Sequence, residues 1–152
     1  MKIILQRVKS AQVNVNQVTI GSIDQGLLLL VGFGKDDEPD TPLAISEKIS
    51  RAIDKILHLR VFPNDQGKLD YSLVDVGGSI LAVPQFTLYG RTQKGRRPDF
   101  TQALSPDIAE QNFDQFIRQL TAQYDHLATG QFGADMEVSL INDGPFTLDM
   151  SF

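Results

Sequence analysis

The chain of 152 residues contains no cysteine. That excludes disulfides, thiol nucleophiles and cysteine-ligated zinc or iron–sulfur sites. Histidine is scarce: only His58 and His126 occur, each next to a leucine. Two are too few for a three-histidine metal site, and both are expected in structural or surface roles. Long apolar runs are missing too. The longest, Gly26–Phe33, falls far below the ~20 residues that span a bilayer. The N-terminal apolar run ends at Gln6 and Arg7, too soon for a secretion signal. The expectation is a soluble cytoplasmic protein with no membrane partner.

Several motifs are absent. Gly34-Lys35 lacks the spacing and hydroxyl of a phosphate loop, and no G-x-G-x-x-G, G-x-S-x-G or H-E-x-x-H occurs. No cofactor or metal is therefore expected. The formal charge is −5, which by itself disfavours a nucleic-acid partner. Its distribution says otherwise. Residues 1–97 hold 13 basic against 10 acidic side chains, and residues 98–152 hold 1 against 9. Arg91, Lys94, Arg96 and Arg97 cluster, and Lys48, Arg51 and Lys55 share a helix face. Such clusters suit a solvated surface or the phosphates of an RNA.

What is present is ordinary globular material, 41% hydrophobic and 22% charged. Val13, Val15, Val18 and Ile20 alternate with polar residues about Asn16-Gln17, which predicts a hairpin. Gly26–Phe33 reads as a strand buried on both faces. Lys35–Asp40 reads as a charged loop, after which Thr41 and Pro42 open a helix as N-cap and first-turn proline. Leu43, Ile49, Ala52, Ile53 and Ile56 form its apolar stripe. Leu59–Phe62 and Ser79–Leu88 read as strands. A second helix starts at Ser105-Pro106, with Ile108, Phe113, Phe116, Ile117 and Leu120 inward. Met136, Val138 and Leu140 form a strand, Asn142–Pro145 a turn, and Phe146–Phe152 a last strand. With no linker or repeat, residues 1–152 make a single domain. The layout is α+β, with a largely antiparallel sheet and two main helices.

Two segments stand out. In Pro84-Gln85-Phe86-Thr87-Leu88-Tyr89, a proline interrupts an apolar strand. Gln85 and Thr87 would share one face of that strand. The segment suits either a solvated edge strand or a strand end whose N–H groups and hydroxyl meet a developing oxyanion. In Asn142-Asp143-Gly144-Pro145-Phe146-Thr147, Asp-Gly favours a turn and Pro145 removes the next ladder donor. That pair suits either an ordinary turn or close backbone contact with a ligand.

Taken together, PQFTL at Pro84–Leu88 and NDGPFT at Asn142–Thr147 resemble the paired motifs of the D-aminoacyl-tRNA deacylases, bacterial and eukaryotic type. LQRV at Leu5–Val8, GLLLLVG at Gly26–Gly32, KGRRPDF at Lys94–Phe100 and TGQFGADMEVSLINDGP at Thr129–Pro145 extend the likeness end to end. The resemblance implies a partly open barrel. It also implies a homodimeric editing hydrolase, cofactor-free, that cleaves a D-amino acid or glycine from the 3′-terminal adenosine of tRNA. Gly144 and Pro145, joined by a cis bond, would act across the dimer as a chirality filter, with Arg7 orienting them. Gln85, Phe86 and Thr87 would line the catalytic site, Phe86 near the adenine and the N–H groups of Phe86 and Thr87 at the oxyanion. The ribose 2′-hydroxyl would help to activate water; Thr87 as nucleophile is the alternative. Arg91, Lys94, Arg96 and Arg97 would meet tRNA phosphates.

Pro84 departs from the serine usual at that point of the motif. A related branch acting on L-alanine has Pro-Gln there but lacks the following Phe. Two alternatives thus stay open: an editing enzyme acting mainly on glycine or L-alanine on a wrong tRNA, and a non-catalytic RNA-binding dimer.

Overall fold

The alternation that opens the chain forms one long strand, β1 (Lys2–Val15). The computed structural model describes residues 1–38 and 42–152. The expected hairpin turn is at Asn16 and Gln17, with φ of 50° and 64°; paired positive φ values match the twist of the flanking strands. The chain returns as β2 (Val18–Ile23) and, after a short break, β3 (Gly26–Gly32). Ala11 pairs with Ile23 and Val8 with Gly26, so β2 and β3 line the same edge of β1 in turn. The other edge pairs with β8 (Glu137–Ser151).

Between them lie α1 (Pro42–His58), β4 (Phe62–Pro63), β5 (Leu69–Tyr71), the single turn α2 (Leu73–Val76), β6 (Ser79–Pro84), α3 (Pro106–Thr121) and β7 (Leu127–Thr129). The main sheet runs β2-β1-β3-β6-β7, with β8 on β1; β4 and β5 pair separately. All pairings of β1 are antiparallel, but β3–β6 and β6–β7 are parallel. The sheet is therefore mixed rather than simply antiparallel. Its parallel pairs are those joined by the long helices, since parallel strands need a long crossover. β2 also packs on β6 and β7, which curls the sheet towards a barrel.

Both sheet faces are buried. Leu5, Leu27, Leu29, Ile80 and Ala82 meet Ile49, Ile53, Phe113, Phe116 and Leu120 of the helices. Val8, Leu28, Leu81 and Val83 meet Ala11, Val13 and Ile23, folded over from β1 and β2. One strand can serve both cores because its register with β8 slips between Val8 and Ser10. An extra residue exchanges the faces, so Leu5 points to the helices and Ala11 away from them.

Some expectations are corrected. The stripe of α1 starts at Ile45, and Leu43 is exposed. Of the expected Leu59–Phe62 strand only Phe62 is extended, in β4 with Pro63, because α1 runs to His58 and the Leu59 N–H closes its last turn on Lys55. The strand from Ser79 stops at Pro84, and Phe86–Tyr89 form a 3₁₀ turn. The expected turn at Asn142–Pro145 does not divide two strands. It lies inside β8 as an insertion between the Gln6–Thr147 and Val8–Asn142 pairs. Thr41 and the end of the 35–40 loop lie outside the described residues.

Candidate active site

Pro84 brings no N–H to the ladder, and β6 ends there, level with Val31 of β3. The Gln85 N–H donates to the Val31 carbonyl at 2.7 Å, and the chain then turns. Gln85 and Thr87 are thus not on one face of a strand. Instead the Gln85 amide donates to the Thr87 hydroxyl at 2.5 Å across the 3₁₀ turn. The first N–H groups of a helical turn have no partner within it. Among the described residues, those of Phe86 and Thr87 have no backbone acceptor elsewhere.

A buried charge cluster braces this turn. The Asp37 carboxylate, fully buried, accepts from the Met1 ammonium and the Lys48 ammonium (both 2.6 Å), the Gly34 N–H (2.8 Å) and the Tyr89 hydroxyl (3.2 Å). Lys2 donates to the Leu88 carbonyl at 3.3 Å and sits 5.0 Å from the centre of the Tyr89 ring. Burial pushes the Asp37 carboxyl up, but the bonds from Lys48, the Met1 ammonium and Gly34 outweigh it and hold the pKa below the usual value. Burial, then the Asp37 charge, pushes the Tyr89 phenol up. The basic face expected on α1 loses Lys48, whose charge is spent inward; Arg51 and Lys55 remain exposed.

A cleft of about 440 Å³ opens beside the turn. Pro84, Gln85 and Phe86 form one wall, Leu104, Pro106 and Ala109 another, and Phe132–Met136 a third. It lies where the two cores meet, at the carboxyl ends of the parallel strands β3 and β6. In α/β sheets that end commonly receives ligands. Leu104, Phe132 and Met136 were not singled out as site residues from the sequence, where they read as ordinary apolar positions.

The second motif is built with equal care elsewhere. The Gly144–Pro145 peptide is cis, and Gly144 has φ of 139°, a conformation open mainly to glycine. Arg7, 7% exposed, donates through Nε and Nη2 to the Asp143 carbonyl at 3.1 and 2.8 Å. Its Nη1 donates to the Val61 carbonyl, and its guanidinium lies 5.1 Å from the Phe146 ring centre. Asn142 accepts from the Phe146 N–H at 2.6 Å and donates to the Phe146 carbonyl and the Thr147 hydroxyl. Gly144 and Pro145 stay exposed on this frame.

The two motifs do not meet within one chain. Arg7 is level with Leu27 of β3, and Gln85 is bonded to Val31. Four residue steps of strand separate those levels, roughly 13 Å at ~3.3 Å each. β8 is also three strands from β6 across the sheet.

Arg91, Lys94, Arg96 and Arg97 all lie on an exposed loop. His58 is exposed on α1 against Asp54, and exposed His126 packs edge-on to Tyr124. Among the described residues, no three His, Asp or Glu side chains gather as a metal would require. Among the described residues, too, no helix is long and apolar enough to cross a membrane.

Comparison with known proteins identifies the framework. The model of the D-Tyr-tRNA(Tyr) deacylase family matches residues 4–151. A D-aminoacyl-tRNA deacylase of Teredinibacter turnerae is 48% identical over 147 residues, 97% of each chain. The solved structure of a c-Myc DNA unwinding element binding protein superposes with a TM-score of 0.87 at 35% identity, over 100% of this chain and 99% of that one. A probable eukaryotic D-amino acid tRNA deacylase shares the fold, with a TM-score of 0.83 at 20% identity over 98% and 97% of the two chains. With both motifs in place and the match running nearly end to end, the chain belongs to the D-Tyr-tRNA(Tyr) deacylase family.

Proposed function

We propose that this deacylase hydrolyses the ester joining a D-amino acid, or glycine, to the 3′-terminal adenosine of tRNA, working as a homodimer. The cleft beside Pro84–Phe86 receives the terminal adenosine, with Phe86 at the base. The N–H groups of Phe86 and Thr87 stabilise the oxyanion as water attacks the ester carbon. Donors aimed at developing charge in a partly dry site commonly supply the largest part of such catalysis. The observation that carries this reading is the chemistry of the turn: N–H donors without backbone acceptors beside a cleft, and a Thr87 hydroxyl that already accepts a bond from Gln85. An amide cannot take a proton from that hydroxyl, so a threonine nucleophile lacks its base. Activation of water falls to the substrate's own 2′-hydroxyl.

Gly144 and Pro145 serve as the chirality filter in the partner's site. Their separation from Phe86 and Thr87 within a chain supports a site completed across a dimer. A rigid main-chain wall that excludes an L side chain rejects the abundant substrate by steric clash. Arg91, Lys94, Arg96 and Arg97 contact phosphates of the acceptor end.

The test is hydrolysis of D-tyrosyl-tRNA and L-tyrosyl-tRNA by the purified protein. Release of D-tyrosine with the L ester spared is expected. A D substrate ending in 2′-deoxyadenosine should resist cleavage. Equal rates on both enantiomers, or none on either at micromolar enzyme, would overturn the proposal.

A further inference from the structure

Phe86 is 54% exposed, which leaves its ring free to rotate unless something holds it. The ring it touches is that of Phe100, with centroids 5.3 Å apart and planes inclined by 67°. Edge-on contacts of this kind are a favoured aromatic geometry. The backbone at Phe100 is anchored, while the residue itself stays 38% exposed. Its carbonyl accepts from the Ala103 N–H at 2.9 Å, and the chain after it is stitched to the end of β3 through Lys35–Gln102 and Leu104–Phe33 bonds. Asp99, just before it, exchanges two backbone bonds with Arg91 (2.8 and 2.9 Å) and caps Thr101. Gly90 makes room for the ring: a Cβ there would lie 2.9 Å from Phe100 Cε1.

We propose that Phe100 is a positioning residue: it holds the Phe86 ring edge-on and so sets the surface that receives the terminal base of the RNA substrate. This rests on the reading of Phe86 as the residue facing the terminal adenosine. The arrangement also fixes the basic loop to the cleft. Lys94, Arg96 and Arg97 lie within a loop closed by the Arg91–Asp99 pair, and that pair adjoins Phe100. Base and backbone phosphates of one RNA end are thereby met by one continuous segment of the chain.

A positioning role shows in KM and in ring mobility. Phe100→Ala should raise KM for D-tyrosyl-tRNA by about threefold to tenfold, as expected for a modest aromatic contact, with kcat within about twofold. Phe100→Tyr, which keeps the ring, should restore the wild-type KM. Phe100→Leu keeps apolar bulk in case the alanine variant folds poorly, and should still raise KM. The chain has no tryptophan, so Phe86→Trp supplies a single tryptophan, excited at wavelengths that the tyrosines do not absorb. Its anisotropy should fall when Phe100 is replaced by Ala or Leu, and not by Tyr. Unchanged KM in the Ala and Leu variants, or unchanged anisotropy, would overturn the proposal. If the wild type cleaves no D-aminoacyl-tRNA, the functional reading fails, while the anisotropy still decides whether Phe100 holds the ring.

Discussion

Arg7 shows how much one side chain can organise. Its guanidinium reaches from β1 to the Asp143 and Val61 carbonyls and backs the Phe146 ring. Lysine offers a point charge in place of that planar fork. Arg7→Lys should lower kcat/KM on D-tyrosyl-tRNA by tenfold or more and cost about 2 kcal/mol of stability; steady-state kinetics and urea titration measure both. Thr87→Val separates the two readings of the turn. With the substrate hydroxyl activating water, kcat/KM should stay within about fivefold; loss of a nucleophile costs about 10³-fold or far more. Arg7 was legible only through the family resemblance, since a lone arginine on a strand has no local signature. Asp37 was not legible at all. In the sequence it is one acid of a charged loop, and only the folded chain brings Met1, Lys48 and Tyr89 around it.

At the scale of elements, local pattern succeeded where local chemistry decides. The Asn16-Gln17 turn forms as read, and the doubly buried strand read over Gly26–Phe33 forms over Gly26–Gly32. It failed where a distant partner decides. Asn-Asp-Gly-Pro looks like a hairpin turn, yet β1 pairs on both sides of it and keeps β8 one strand. Separately, Pro84 ends its strand sooner than the apolar pattern suggests, because it has no N–H for the ladder. Asn142 is the residue that makes the insertion in β8 a defined loop, with three hydrogen bonds to Phe146 and Thr147. Asn142→Ala should cost about 1–3 kcal/mol, because it strands the Phe146 N–H. It should also weaken D/L discrimination, which parallel assays of the two enantiomers would show.

The whole molecule's response to acid follows from Asp37. Its folded pKa lies below the unfolded value of about 3.9. The unfolded chain therefore takes up the proton first as pH falls. The stability contributed by the carboxylate is complete above about pH 4 and is lost as pH drops through the lower folded value. Asp37→Asn should destabilise the protein at neutral pH by roughly 3–5 kcal/mol, since it leaves the buried ammonium of Met1 without its counter-charge. It should also flatten the fall in Tm below about pH 4, as thermal scans across the acid range would record.

The Gly144–Pro145 loop is held in place by Arg7, 136 residues earlier in the chain. Contacts of such long range are slow to form, because loop-closure entropy must be met before they are made. A ribosome-bound chain that displays β1, both long helices and the Phe86–Tyr89 turn still lacks the frame for that loop until β8 zips onto β1. On the proposed reading of Gly144 and Pro145 as the filter, discrimination between D and L substrates would be among the last properties to mature, arriving together with the final strand.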